Sequence, residues 1–428
     1  MNKEITIRQK IYLGALLHDI GKFYQRADKN GTQNSEFLSQ LSKNSESTLC
    51  PQYNGKYSHK HVLWTVDFFE KYKQQFKNLV KTDDGISIER LASAHHNPDK
   101  DSLYEKIIQK ADWYSSGVDR NNDEFSINDG LDENTWDTFK KKRMVSVFEG
   151  IFNSEIGYNF SLPVNEISLI KKDYFPKKNA EIDNNPDYAN LWDEFVKEFK
   201  FIQAEDTIVF ADTLLNLLAK YTTTIPSSTI HLPDVSLFDH LKTTAAFAVA
   251  LYDYLSENDI KNLKFKENPY LLIAGDLSGI QDFIYDIISK NAAKNLKGRS
   301  FYLQLLTDSI IKKLLDELKL YKANLIYGSG GSFFIIAANT EKNKEKLQKI
   351  QVEISQKIFE EHKTSLYLAI ESIEFGEEHI FGQNNKTVGT LWEHIFKKLD
   401  VKKQQRYLSD LKNNYNLFLN QLGLAEKR

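Results

Sequence analysis

Histidine and aspartate residues recur in four short segments of the first 120 residues of this 428-residue chain: His18-Asp19, Ser58-His-Lys-His61, His95-His96 and Ala111-Asp112. Imidazole nitrogens and carboxylate oxygens are typical ligands of divalent transition metals such as Mn, Ni, Fe or Zn, whereas Mg prefers oxygen ligands. The four segments therefore predict a metal site. Its candidate ligands are His18, Asp19, His59, His61, His95, His96 and Asp112, with the choice between His59 and His61 left open and spacing favouring His61.

The helical spacing of these residues predicts that they face the protein interior. His95 follows Leu91 by four residues, and His61 precedes Trp64 by three. A lone histidine on an apolar face is more often a hydrogen-bonded core residue than a ligand. Several buried imidazoles together with the buried carboxylates of Asp19 and Asp112 are costly without a cation, so the set as a whole favours metal binding.

Two of these residues, His18 and Asp19, are also candidates for catalysis, together with Lys22. We expect Asp19 to bridge two ions, and Lys22, one turn after His18, either to reach a phosphate or to form a solvated helix end. Bound transition metals lower the pKa of a coordinated water and stabilise charge on a phosphoryl oxygen. A bound ion of this kind is suited to hydrolysis.

The periodicity of apolar residues predicts an α+β protein with four segments. Residues 1–120 read as an all-helical block in which 29–55 is a polar loop, and residues 121–268 as its mostly helical remainder and a linker. Residues 269–385 follow the order β-α-β-β-α-β, which is the ferredoxin-like unit found in the palm of many polymerases and cyclases. Residues 386–428 read as a trailing helical segment.

The predicted palm carries a set of candidate nucleotide-binding residues. They lie after its first strand and in a glycine-rich hairpin: Asp276, Ser278, Gly279, Gln281, Gly328, Gly330 and Gly331. A catalytic palm needs further carboxylates in the hairpin to hold two metal ions, and Gly328-Ser-Gly-Gly-Ser332 has none. The glycines either let backbone N–H groups approach a triphosphate or simply form a tight turn.

Composition limits the remaining classes of function. The chain has 56 Lys and Arg against 59 Asp and Glu, a net charge of −3, which argues against coating nucleic acid by bulk charge. Its single cysteine, Cys50, excludes an internal disulfide. No apolar run approaches the length of a membrane helix, and the first residues lack the apolar core of a signal peptide, so a cytoplasmic protein is expected.

In this order, His-Asp, His, His-His and Asp resemble the HD phosphohydrolase superfamily in a permuted arrangement. With Ser115-Ser-Gly-Val-Asp-Arg120, Gly275-Asp-Leu-Ser-Gly-Ile-Gln281, Gly298-Arg-Ser-Phe-Tyr-Leu303 and the glycine-rich hairpin, the whole chain resembles the large subunit of type III-A CRISPR effector complexes, the Csm family. That resemblance implies a metal-dependent, single-strand-specific DNA nuclease with Csm subunits, crRNA and target RNA as partners. It also implies ATP and Mg at the palm.

The same family carries a cysteine-rich zinc segment and a second palm with Gly-Gly-Asp-Asp, and neither occurs in this sequence. We therefore expect the amino-terminal half of a longer protein or a shortened or split version, with no cyclic oligoadenylate made by this chain alone. Two alternatives stay open: an HD nucleotide phosphohydrolase, and a non-catalytic scaffold that binds crRNA and partner subunits.

Overall fold

The structure is a computed structural model that describes residues 5–29, 35–77, 79, 85–120, 138–148, 159–170, 175–182, 187–202, 206–229, 232–263, 268–286, 291–413 and 415. The chain divides into two compact units, Met1–Tyr252 with Lys261–Lys264, and Asp253–Ile260 with Phe265–Arg428. No helix among the described residues combines the length and apolar composition that crossing a bilayer requires. Residues 121–137 and 416–428 of the predicted segments lie outside the described part of the chain.

The first unit is built mainly from helices. In chain order they are α1 (Ile7–Leu17), α2 (Ile20–Ala27), α3 (Gln40–Asn44), α4 (Glu46–Leu49), α5 (His61–Lys71), α6 (Lys73–Phe76), α7 (Ile88–Ser93), α8 (Leu103–Arg120), α9 (Thr138–Lys141), α10 (Tyr188–Phe199), α11 (Thr207–Thr222) and α12 (Leu237–Glu257), the last of which continues into the second unit. Aromatic side chains fill the core between α5 and α10; the rings of Phe68 and Phe199 lie 5.2 Å apart.

This unit also contains two short antiparallel strand pairs. The pairs are β1 (Gln52–Tyr53) with β2 (Lys56–Tyr57), and β3 (Phe160–Ser161) with β4 (Lys177–Lys178). The prediction of a purely helical block with a polar loop over 29–55 was therefore wrong in detail, because that stretch forms α3, α4 and β1. Helical spacing predicts a single helix from residue 58 to 80, whereas the observed helix begins at His61 and is broken at Tyr72.

The second unit contains a four-stranded antiparallel sheet with the ferredoxin-like order. Its strands are β5 (Tyr270–Ser278), β6 (Leu325–Ser329), β7 (Ser332–Ala338) and β8 (Tyr367–Phe375), arranged β6-β7-β5-β8. The helices are α13 (Ile280–Tyr285), α14 (Ala292–Glu317), α15 (Glu341–His362), α16 (Glu377–Ile380), α17 (Val388–Gln404) and α18 (Leu408–Asn413). The predicted β-α-β-β-α-β order is confirmed.

The core of this unit packs the helices α14 and α15 against one face of the sheet. Leu314 of α14 and Ile354 of α15 join Ile273, Phe333 and Ile335 of the strands in a buried apolar cluster. Central strand β5 is buried along most of its length, which explains its nearly continuous apolar sequence. The predicted hairpin turns at Gly330 and Gly331, whose φ angles of +63° and +86° are those a two-residue type I′ turn requires.

Candidate metal centre

The His18-Asp19 pair occupies the break between α1 and α2. Thr65 of α5 fastens this break, because its hydroxyl accepts a hydrogen bond from the Gly21 amide and donates one to the His18 carbonyl, both at 3.2 Å. A Cβ atom at position 21 would lie 2.1 Å from the carbonyl oxygen of His61. Glycine at this position therefore lets α2 approach α5 closely enough to bring His61 beside Asp19.

One oxygen of the Asp19 carboxylate faces the first group of possible ligands, which we call the His61 group. It comprises Asp19, His61, His95 and His96, with one ligand atom from each lying within 4.8 Å of the others. Asp19 Oδ1 lies 2.9 Å from His61 Nε2 and 3.6 Å from His95 Nε2, while the Nε2 atoms of His61 and His96 are 3.2 Å apart. Among the described residues, the fully buried His95 Nε2 has no hydrogen-bond partner.

The other oxygen faces a second set, which we call the His240 group. It comprises His18, Asp19, Asp112 and His240, again within 4.8 Å of one another and all buried. Asp19 Oδ2 lies 3.4 Å from His18 Nε2 and 3.2 Å from His240 Nε2. Asp112 Oδ1 lies 3.6 Å and 3.2 Å from the same two nitrogens.

The charges of these groups suit cation binding. Burial lowers the pKa of His61 to about 3 against the opposing effect of Asp19, so this imidazole is neutral. Burial also acts on His18, but the Asp19 and Asp112 carboxylates outweigh it and raise the pKa of His18 to about 9. The pKa of Asp19 lies well below its usual range, because Lys22, His18 and His61 outweigh the effect of burial. The site therefore presents an ionised Asp19 carboxylate and a neutral His61 imidazole, whereas His18 holds a second proton at neutral pH that a metal ion would have to displace.

The donor set fits divalent metal ions. Imidazole and carboxylate groups converge, and a buried imidazole nitrogen in the His61 group lacks any hydrogen-bond partner among the described residues. Such a nitrogen is costly to bury unless a cation or proton binds to it. The residues that would hold the ions are those of the two groups, with Asp19 common to both.

His59 and Lys22 lie at the edge of this cluster. His59 is exposed, with its ring 4.1 Å from that of His96, and it belongs to neither group. Its ring nitrogen Nδ1 lies 2.9 Å from Ser58 Oγ. Lys22 Nζ lies 2.6 Å from Asp19 Oδ2 with a quarter of its side chain exposed. The structure therefore brings six of the seven predicted ligands together and leaves His59 outside.

Two features of the cluster differ from the expectation. Helical spacing predicts a helix over residues 86–96 that would carry His95 on its buried face, but α7 ends at Ser93, so His95 and His96 follow it in a turn. His18 likewise lies at the end of α1 rather than within it. The sequence analysis also missed His240, in the first turn of α12. A signal was present, because Asp239-His240 is an Asp-His pair in a helix with apolar residues at helical spacing, but this pair lies more than 100 residues after the other histidine and aspartate segments.

In the second unit, the predicted nucleotide-binding residues gather at one end of the sheet. The Leu277 amide donates to the Gly331 carbonyl at 2.9 Å, and a Cβ at Gly331 would lie 2.4 Å from Ile280 Cδ1, so the hairpin turn abuts the start of α13. Gly279 is left-handed (φ +89°) and Ser278 is the last residue of β5. Gln281, Gly328 and Gly330 are exposed.

The carboxylate of Asp276 is already engaged in this unit. It accepts a hydrogen bond from Ser332 Oγ at 2.8 Å and forms an ion pair with Lys403 of α17. Among the described residues, both groups of possible metal ligands lie in the first unit, and none includes Asp276.

Comparison with known proteins supplies a family for both parts of the chain. Residues 3–117 match the family model of the HD domain, and residues 269–420 match that of Csm1 subunit domain B. The "CRISPR system single-strand-specific deoxyribonuclease Cas10/Csm1 (subtype III-A)" of Methanocaldococcus jannaschii is 32% identical over 92% of this chain and 50% of its own length. The protein of the same name from Streptococcus thermophilus is 31% identical over 93% of this chain and 49% of its own length.

Solved structures give the same result. A Csm1–Csm4 cassette in complex with cA4 has a TM-score of 0.66 at 25% identity, covering 97% of this chain and 51% of that one. The Csm1–Csm4 subcomplex of the type III-A CRISPR-Csm interference complex has a TM-score of 0.65 at 26% identity, covering 94% and 49%. The chain thus spans about half the length of the relatives it matches.

Proposed function

Because the chain belongs to the Cas10/Csm1 family of type III-A CRISPR systems, we propose that it is a metal-dependent nuclease that cleaves single-stranded DNA in antiviral defence. The observation that carries this proposal is the position of Asp19, whose two oxygens face two different groups of imidazole nitrogens. Such a shared carboxylate suits a pair of metal ions, and paired ions are a common means of phosphodiester hydrolysis.

The residues divide the work as follows. His61, His95 and His96 would hold one ion and His18, Asp112 and His240 the other, with Asp19 shared. Bound divalent ions supply an activated water and stabilise negative charge on a phosphoryl oxygen. Lys22, partly exposed at the edge of the cluster, is suited to bind a substrate phosphate by exchanging its contact with Asp19 for one with the phosphate oxygen. Mn²⁺ and Ni²⁺ suit this mixed nitrogen and oxygen donor set.

We further propose that the palm unit binds ATP only together with a second palm. The ion pair between Asp276 and Lys403 supports this, because an ammonium group already neutralises the carboxylate that would otherwise bind Mg²⁺. This chain alone is therefore expected to make no cyclic oligoadenylate. By similarity to relatives crystallised as Csm1–Csm4 cassettes, one partner would be a Csm4 subunit. The crRNA and target RNA are partners that the resemblance to type III-A large subunits implies, and we include them in the proposal.

The test is cleavage of end-labelled single-stranded and duplex DNA with Mn²⁺, Ni²⁺ or EDTA. The wild-type chain is compared with a His18→Ala/Asp19→Ala double variant and with a matched control, His394→Ala/Asp400→Ala, whose residues are exposed in the other unit. Metal-dependent loss of the single strand only, abolished in the first variant and kept in the control, supports the proposal. Phosphate release from nucleoside triphosphates without strand cleavage would instead identify a nucleotide phosphohydrolase. Metal binding without either activity would favour a scaffold.

A further inference from the structure

Two of the histidines in the proposed metal centre are oriented by their own backbone. His18 Nδ1 lies 2.7 Å from the Ala15 carbonyl oxygen, and His95 Nδ1 lies 2.8 Å from the Ala92 carbonyl oxygen. Both carbonyls belong to the last turn of a helix, where carbonyl groups lack the usual amide partner four residues later and can accept a side-chain hydrogen bond. A carbonyl can only accept, so Nδ1 carries a proton, and Nε2 is the nitrogen with the lone pair whenever the imidazole is neutral.

His240 cannot be oriented in this way, because it lies in the first turn of α12, where the carbonyl groups point into the helix. Its Nδ1 instead lies 3.1 Å from the hydroxyl oxygen of Ser115 on α8. The Ser115 side chain is buried, and its residue opens the Ser-Ser-Gly-Val-Asp-Arg segment, to which the proposed chemistry assigns no role.

The direction of this hydrogen bond follows from the hydroxyl hydrogens available. Thr243, one turn after His240, has its Oγ1 atom 2.8 Å from the Asp239 carbonyl, to which it donates its single hydrogen. Ser115 Oγ lies 2.6 Å from the same Thr243 Oγ1 and 3.3 Å from the His240 carbonyl oxygen, and both of these atoms can accept its single hydrogen. The lone pairs of Ser115 Oγ are then left to accept a proton from His240 Nδ1.

This relay leaves the Nε2 atom of His240 without a proton in the neutral imidazole. Nε2 is the atom that lies 3.2 Å from both Asp19 Oδ2 and Asp112 Oδ1. We propose that Ser115 and Thr243 are positioning residues that fix His240 in the tautomer able to bind a metal ion in the His240 group. This inference shares one premise with the proposed function, namely that the two groups of ligands bind metal ions. Its distinct claim is that two hydroxyls outside the ligand set determine the affinity of one of two ions.

The experiment is calorimetric titration of the metal-free chain with Mn²⁺ alone. Ser115→Ala removes the acceptor, and Thr243→Val removes the acceptor that holds the Ser115 hydrogen away from His240. Each substitution is expected to lower the affinity for one of the two Mn²⁺ ions by about 10–100-fold, the usual effect of losing a hydrogen-bond partner of a ligand. The affinity for the other ion should not change. Thr243→Ser keeps a hydroxyl and is expected to restore binding.

The matched control is Thr222→Val, which removes a buried threonine hydroxyl that bonds only within its own helix, to the Leu218 carbonyl. It should match Thr243→Val in its effect on thermal stability but leave both Mn²⁺ affinities unchanged. Wild-type affinity for both ions in Ser115→Ala and Thr243→Val would overturn the relay while leaving the proposed nuclease intact. If these variants bind Mn²⁺ more weakly but the wild type does not cleave DNA, the nuclease proposal is wrong and the relay is supported. A wild-type chain that binds no Mn²⁺ would overturn both.

Discussion

Replacing Asp19 with Asn should remove the element that the two ligand groups share. The carboxylate offers one oxygen to each group, with Oδ1 at 2.9 Å from His61 Nε2 and Oδ2 at 3.2 Å from His240 Nε2. Asn keeps the shape but has one oxygen, and its amide NH2 group cannot bind a cation. We therefore expect loss of at least one ion and of strand cleavage.

The size of the effect follows from the lost charge. At about 4 Å and an effective dielectric constant of about 20, two unit charges interact by roughly 4 kcal/mol. A divalent ion would lose more than this. In the wild type, however, the metal must compete with Lys22 for the Asp19 carboxylate, and the Asn variant removes that competition. We therefore use the figure for one unit charge. Since about 1.4 kcal/mol corresponds to a factor of ten, affinity should fall on the order of 10³-fold.

The assay is metal analysis after dialysis against a graded Mn²⁺ buffer, with DNA cleavage measured in parallel. Asp67→Asn is the matched control, because Asp67 is also a buried aspartate and its Oδ1 atom accepts a hydrogen bond from the Ser39 amide outside either ligand group. The control should keep two ions. Two ions bound with wild-type affinity by Asp19→Asn would refute the assignment of Asp19 as the shared ligand.

Three further predictions concern pH, ligand choice and the palm hairpin. Because the pKa of His18 is raised to about 9, a metal ion must displace a proton from it at neutral pH. Mn²⁺ affinity should therefore rise about tenfold per pH unit from pH 7 and level off above pH 9. Titrations that show constant affinity over this range would contradict this prediction. His59→Ala should keep the full metal content while His61→Ala loses one ion, and equal losses on metal analysis would show that His59 is also a ligand. Gly331→Ala should lower the free energy of unfolding by about 1–3 kcal/mol because of its left-handed backbone. Gly298→Ala, with open space around it in a helix, should raise stability by up to about 1 kcal/mol, and calorimetric shifts of the same sign in both would contradict the explanation.

Patterns within single segments predicted most of the fold. The continuous apolar run at Tyr270–Ser278, the alternation at Tyr367–Phe375 and the glycine turn between β6 and β7 are local signals, so the strands of the sheet could be predicted from the sequence. The short pair of β1 with β2 could not, because strands of two residues carry no periodicity. The helices predicted over residues 58–80 and 86–96 also extend beyond their observed ends, because α5 ends at Lys71 and α7 ends at Ser93.

The difference between local patterns and long-range packing also explains which residues of the site could be predicted. His18, His61 and Asp112 were found because they lie near other histidines and aspartates in a short stretch of sequence, whereas His240 is 222 residues from His18 and yet lies 3.1 Å from it, Nε2 to Nε2. A ligand from a helix so far along the chain is brought to the site by packing, and no spacing in the sequence reveals it. Positions at helix ends were misjudged for a related reason: free carbonyls there can orient an imidazole, so His95 gains a fixed tautomer by leaving the helix. A histidine in the first turn of a helix, such as His240, needs a hydroxyl from another element to fix its tautomer. Ser115 can be recognised as that element's contribution only from the packing of α8 against α12.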